Sequence, residues 1–241
     1  MTHRFPASVP SPTVKPWLAA LAVVALAMAA PAGAAPQPSF DCAKATADVD
    51  RAICASDALA TQDASIARRF AEAKKAFDAD TARALTQDQR YFVGVRNEDY
   101  AVPGSAAERV ESLSDRLKYR DAFLASLVLT PRQGFEGSWD NLAGGITIVR
   151  QADGKLMVEA QAAQPQNARW LCDASGVATV KGDTLVVEAD DPGGWTLTLS
   201  RKGAALVVVD TPPAKDKAAG GPPYCGMNGA LGGVYFPVRQ P

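Results

Sequence analysis

Histidine occurs once in 241 residues, at His3. That position lies ahead of an apolar run with the marks of a cleaved export signal, so the mature chain is expected to have none. Without histidine there is no Ser-His-Asp or Cys-His nucleophile, no HExxH metal site and no imidazole acid or base. Cysteine is almost as sparse. The four present, Cys42, Cys54, Cys172 and Cys225, nowhere stand as C-x-x-C, which argues against zinc. Neither sign of charge dominates, with 25 Lys+Arg against 26 Asp+Glu, so no basic surface for nucleic acid is expected. No metal, no cofactor and no catalysis that depends on either is expected.

Long apolar runs are scarce too. The single one, Trp17 to Ala30, follows His3, Arg4 and Lys15 and precedes Ala32-Gly33-Ala34. A basic start, a short apolar middle and an A-x-A site make a secretory signal over residues 1–34. The run has 14 residues, short of the roughly 20 needed for a membrane-spanning helix, and Pro31 and Pro36 block its extension. No later stretch is as apolar, so no membrane span is expected in the mature chain. Ser39-Phe40-Asp41 before Cys42 suits a lipoprotein cleavage site poorly. Cutting after Ala34 leaves 207 residues with 23 basic against 26 acidic side chains, a formal net charge of −3. The expected location is periplasmic or secreted, where an even number of cysteines reads as disulfides.

Two periodicities divide the remainder. From Asp41 to Leu129 the pattern is helical. A short helix is expected over Thr46–Ala55 with Thr46 as its cap. A second starts at Ser56-Asp57 and buries Leu59, Ile66, Phe70, Ala73 and Phe77. A third covers about Thr81–Glu98 and buries Leu85, Phe92 and Val95. Ala101-Val102-Pro103-Gly104-Ser105 breaks the chain. A fourth helix from about Ala106 buries Val110, Leu113, Leu117, Phe123, Leu124 and Leu127 before Thr130-Pro131 stops it. These make a small antiparallel helical bundle over residues 35–130, with a core modest enough for a disulfide to matter.

From Phe135 the period becomes two. Ile146–Arg150 and Lys155–Ala160 are predicted strands joined by Ala152-Asp153-Gly154. Val177–Val180 pairs with Thr184–Ala189 across Lys181-Gly182-Asp183, and Trp195–Ser200 with Ala204–Val209 across Arg201-Lys202-Gly203. Short strands at near-regular spacing predict a small antiparallel β-barrel or sandwich over residues 135–241. Trp139, Trp170 and Trp195 are expected in its core or rim. Thr211–Pro223 is a long loop rich in Pro, Gly, Ala and Lys. The fold class is therefore α+β in two domains. Cys42 with Cys54 and Cys172 with Cys225 is the simplest disulfide pairing, a mixed one between the halves being the alternative.

The helical half resembles the N-terminal domain of the LprI-like lysozyme inhibitor family. Phe40-Asp41-Cys42-Ala43-Lys44 and Val49-Asp50-Arg51-Ala52-Ile53-Cys54 carry the resemblance, with Leu59 and Asp63, Gln89-Arg90-Tyr91-Phe92 and Arg96-Asn97 on the next helices. Members often have a further cysteine pair around the turn between the last two helices, which is absent here. Tyr224-Cys225-Gly226-Met227-Asn228-Gly229 and Gly232-Gly233-Val234-Tyr235 resemble the closing segment of β-domains that follow this module in some relatives. The resemblance implies an envelope protein and, for some members, inhibition of lysozyme.

An inhibitor would fill the cleft that holds the paired carboxylates of lysozyme and offer them donors. Lys215 and Lys217 on the Pro/Gly-rich loop, or Tyr224 and Asn228 beside a disulfide, are the candidate binding residues. Against this, the lysines read equally as solvated and Tyr224 as packed on the barrel. The alternative is a periplasmic binding module for a glycan, a small ligand or another envelope protein, with Gly144-Gly145, Gly193-Gly194 and Gly232-Gly233 as rims or as ordinary turns. A carboxylate-only hydrolase would have Asp140, Asp190 and Asp191. The last two are neighbours on an extended segment and point to opposite faces, so the chain is expected not to be an enzyme.

Overall fold

The computed structural model describes residues 36–188, 194–213 and 221–239, and these described residues fall within one compact unit. The predicted signal, Asp190 and Asp191 lie outside the described residues. Four α-helices come first: α1 (Asp48–Cys54), α2 (Asp57–Ala76), α3 (Ala79–Ala101) and α4 (Ala106–Ser126). Eight strands follow: β1 (Gly137–Asp140), β2 (Gly144–Arg150), β3 (Leu156–Ala163), β4 (Leu171–Lys181), β5 (Thr184–Glu188), β6 (Thr196–Lys202), β7 (Ala205–Thr211) and β8 (Gly233–Val238). Among the described residues no helix is long and apolar enough to cross a membrane.

Helix boundaries follow local chemistry. The Ser56 hydroxyl accepts from Leu59 N, Asp78 accepts from Asp80 N and Thr81 N, and Ser105 and Glu108 form a reciprocal capping box. One expected cap is corrected. Ala47, not Thr46, precedes α1 and no side chain caps it, while the Thr46 carbonyl is taken by the Arg51 guanidinium. Val110 is also corrected. It is 38 % exposed, and the buried stripe of α4 starts one turn later at Leu113.

The eight strands close into an antiparallel up-and-down barrel in chain order, with β8 returning to β1. Closure leaves no sheet edge to protect. Alternation sets the interior. Trp139, Ile146, Ala160 and Ala174 lie in one cross-strand row, and all four belong to the barrel core. The small alanines leave room for the indole, which is fully buried and donates from Nε1 to the Phe135 carbonyl. Trp170 packs against this core from the rim, and Trp195 is half-buried ahead of β6.

A second core lies between the helices and the outer wall of the barrel. Leu85, Phe92, Leu117, Leu124 and Leu127 share it with Phe236 and Val238 of β8 and Ala204 of the β6–β7 turn. β8 is consequently buried on both faces, with Tyr235 in the barrel core and Phe236 against the helices. Polar contacts fix α3 lengthwise on the barrel. At its start, Asp78 Oδ2 and Thr81 Oγ1 accept from Ala204 N at 2.8 and 3.1 Å. Gly203, at φ 60°, lies so close to the Asp78 carboxylate that a side chain there would collide with it. Ten residues on, Asp88 Oδ1 accepts from Leu142 N in the β1–β2 loop at the opposite end of the barrel.

Candidate functional site

Both disulfides join cysteines within one half of the chain, Cys42 to Cys54 and Cys172 to Cys225. The residues carrying the family resemblance sit mainly inside the helical layer. Arg96 Nη2 donates to Asp50 Oδ1 at 3.1 Å, and its Nη1 stands 3.9 Å from Asp63 Oδ1, whose other oxygen accepts from Ser39 N and Oγ. Gln89 accepts from Arg120 Nε at 2.8 Å, and Phe92 lies beneath the same guanidinium. These groups position helices.

Of the predicted binding residues, Lys215 and Lys217 lie outside the described residues. Tyr224 and Asn228 lie together on residues 221–232, the described part of the connection between β7 and β8, which is anchored three times over. The Cys172–Cys225 bridge ties it to the start of β4. Asp173 N donates to the Tyr224 carbonyl and Gly226 N to the Leu171 carbonyl, so the segment lies along β4 like a stub of a further strand. On its other side, Asp210 of β7 accepts from Tyr224 Oη at 2.7 Å and from Gly232 N at 2.6 Å. Tyr224 is thus bonded and packed against the barrel core, and its role is to hold the segment in place. Tyr235 secures the exit, donating from Oη to the Leu231 carbonyl at 2.7 Å. Burial raises its pKa well above the ordinary tyrosine value, with the negative charge of Asp210 adding to the shift.

The tip of this segment is a tight turn. Asn228 takes the left-handed conformation at φ 66°, which asparagine tolerates better than most residues. Gly229 beside it is a tight position for a side chain, since Cys225, Cys172 Sγ and the Gly226 carbonyl crowd it. The turn pushes Met227 outward to 86 % exposure, with Leu171 on the adjoining strand at 62 %. An apolar side chain is presented to solvent on backbone that has little freedom to move.

A concave feature lies where α3 and α4 meet the β1–β2 loop. It is a groove of about 480 Å³ lined in part by Phe92, Ser112, Arg116, Tyr119, Arg120 and Leu142. Arg120 is 2 % exposed, and its Nη1 donates to Asp88 Oδ2 at 2.6 Å. Its guanidinium carbon stands 5.3 Å from the Phe92 ring centre and 4.8 Å from that of Phe123. Arg116 donates to the Pro165 carbonyl at 2.7 Å and pairs with Asp99. Burial raises the Asp99 pKa despite that pairing. Asn141 is a loop-former, its Oδ1 accepting from Ala143 N and Gly144 N.

Asp140 is half-buried on β1, and burial raises its pKa. No described cation lies within ion-pairing distance of it. Among the described residues no three His, Cys, Asp or Glu side chains gather as a metal site would require.

Sequence reasoning missed Asp210, Met227 and the groove. The groove did leave a signal, because Arg120 falls in the apolar stripe Leu113, Leu117, Leu124 of α4. A charge on a buried helix face calls for a buried partner. Comparison with protein-family models, with curated proteins and with solved structures returns no match.

Proposed function

We propose that this is an exported, non-catalytic envelope protein that binds a protein partner through the pinned β7–β8 segment, with lysozyme as the partner to test first. The observation that carries the reading is Met227, exposed at the tip of a segment held by a disulfide, two backbone bonds to β4 and the Asp210 carboxylate. Association loses much of its free energy to ordering mobile groups, so an apolar side chain on prearranged backbone binds more tightly than the same side chain on a loose loop. Methionine is enriched in protein interfaces. The resemblance of the helical half to a lysozyme inhibitor family, the predicted secretory signal and the two disulfides support the envelope location and the choice of partner. In this reading the tip enters a cleft of the partner, and the helical layer keeps the barrel rigid behind it.

The test adds purified mature protein to c-type and to g-type lysozyme and follows cell-wall lysis. Inhibition of one type at micromolar protein is expected, with Met227→Ser weakening it roughly tenfold, as loss of one buried apolar contact predicts. Lysis unchanged with both types overturns lysozyme as the partner. Full inhibition by Met227→Ser overturns the tip as the contact.

A further inference from the structure

The groove between α3, α4 and the β1–β2 loop has balanced charges. Arg116 pairs with Asp99, Arg120 with Asp88, and Asp115 on its rim with Lys118. It holds no spare positive charge for a phosphate or carboxylate and no spare negative charge for a cation. Its unused capacity is of the uncharged kind. The hydroxyls of Ser112 and Tyr119 have no partner among the described residues. Arg120 Nη2 is buried and has no acceptor among the described residues, in a residue that is 2 % exposed. A buried donor left unmade is costly and unusual, and Arg120 is among the residues that line the groove. Apolar surface adjoins these groups, in Leu142 and in a Tyr119 ring whose residue is 78 % exposed.

We infer that this groove binds a neutral saccharide, with one sugar face on the Tyr119 ring and its hydroxyls meeting Ser112, Asp115, Arg116 and Arg120. A sugar hydroxyl both donates and accepts. It therefore suits a lining that mixes donors only (the arginines), an acceptor only (Asp115) and groups that do both (Ser112 and Tyr119). The weakly positive C–H face of a pyranose complements the negative face of an aromatic ring. The groove volume is in the range of small-ligand sites. A peptide added as an extra strand fits less well, because that mode needs a free sheet edge. The floor here is helix and a closed barrel with no such edge.

The test titrates the whole mature chain with the β-1,4-linked trimer of N-acetylglucosamine and follows NMR shifts. Saturable shifts at millimolar sugar are expected, confined to residues 112–120 and the β1–β2 loop. Tyr119→Ala is expected to weaken binding roughly tenfold, as loss of one stacking contact predicts. Ser112→Ala, at another exposed position, gives a smaller loss. Met227→Ser leaves sugar binding unchanged, so this site and the pinned tip fail or succeed separately. Shifts that are absent, that map elsewhere, or that survive both Tyr119→Ala and Ser112→Ala overturn the proposal. Tighter binding of inorganic phosphate or of an uncharged tripeptide to the same residues overturns the saccharide class.

Discussion

Cys42–Cys54 and Cys172–Cys225 span 12 and 53 residues of sequence, and they restrain different kinds of structure. The first joins a short 3-10 turn to the end of α1 in a region already held by Asp63, Arg96 and Asp50. The second holds an exposed segment that has no core of its own and relies on β4 and Asp210 for its shape. One bridge reinforces a scaffold, and the other builds a surface. The comparison shows that a disulfide's sequence context says little about its role until its surroundings are known.

The largest expected effect separates the two bridges. In loop-entropy terms the longer bridge stabilises by about 4 kcal/mol and the shorter by about 3 kcal/mol. Cys172→Ser with Cys225→Ser is therefore expected to lower stability more than Cys42→Ser with Cys54→Ser in urea unfolding. The sharper difference lies in binding. At temperatures where both variants stay folded, only loss of Cys172–Cys225 is expected to weaken the partner contact. Equal loss of binding in both variants would break the distinction between scaffold and surface.

The helical layer was more legible in sequence than the barrel. Three helices start within a few residues of their predicted points, because Ser56, Asp78 and Ser105 supply caps and the apolar stripes repeat every three or four residues. Six strands were readable by alternation, and all run longer than or close to their expected bounds. β1 and β8, which close the barrel, were not. Gly137-Ser138-Trp139-Asp140 is too short to show a period. Val234-Tyr235-Phe236-Pro237-Val238 shows none because both of its faces are buried, one in the barrel and one under the helices. A strand covered on both sides loses the alternation that identifies it. The same burial gives the helices and the barrel a common core, which depends on contacts distant in sequence. Of the candidate site, the disulfide and Tyr224-Asn228 were visible, while the anchoring role of Asp210 comes from pairing between β7 and the segment that follows it.

A smaller effect tests how the helices hold the barrel. Asp78 caps α3 and also accepts from Ala204 N. Burial alone would raise its pKa, but hydrogen bonds from Thr81 and Ala204 outweigh this and hold it below the ordinary aspartate value. A carboxyl with a lowered folded pKa stabilises fully above its unfolded pKa, and that contribution is lost as pH falls through the folded value. Asp78→Ala is expected to cost about 1–2 kcal/mol at neutral pH, the range for loss of a helix cap. The gap from the parent chain should narrow on acidification below roughly pH 4. A gap independent of pH would assign the loss to backbone propensity instead of the carboxylate.

The smallest effect on stability sharpens the contrast most. Met227 touches little and is 86 % exposed, so Met227→Ser is expected to shift stability by less than about 0.5 kcal/mol, as surface substitutions do. Gly229→Ala, two residues away, should behave in the opposite manner. Its added carbon meets the Gly226 carbonyl at 3.0 Å and Cys172 Sγ at 3.1 Å, so its neighbours must give by a few tenths of an ångström even though an apolar tip remains. If the tip is a contact whose geometry matters, both variants lose partner binding, Met227→Ser without a change in melting temperature and Gly229→Ala with a lowered one. Binding lost in Met227→Ser but intact in Gly229→Ala would mean that hydrophobicity alone suffices and that the pinned backbone contributes nothing to recognition.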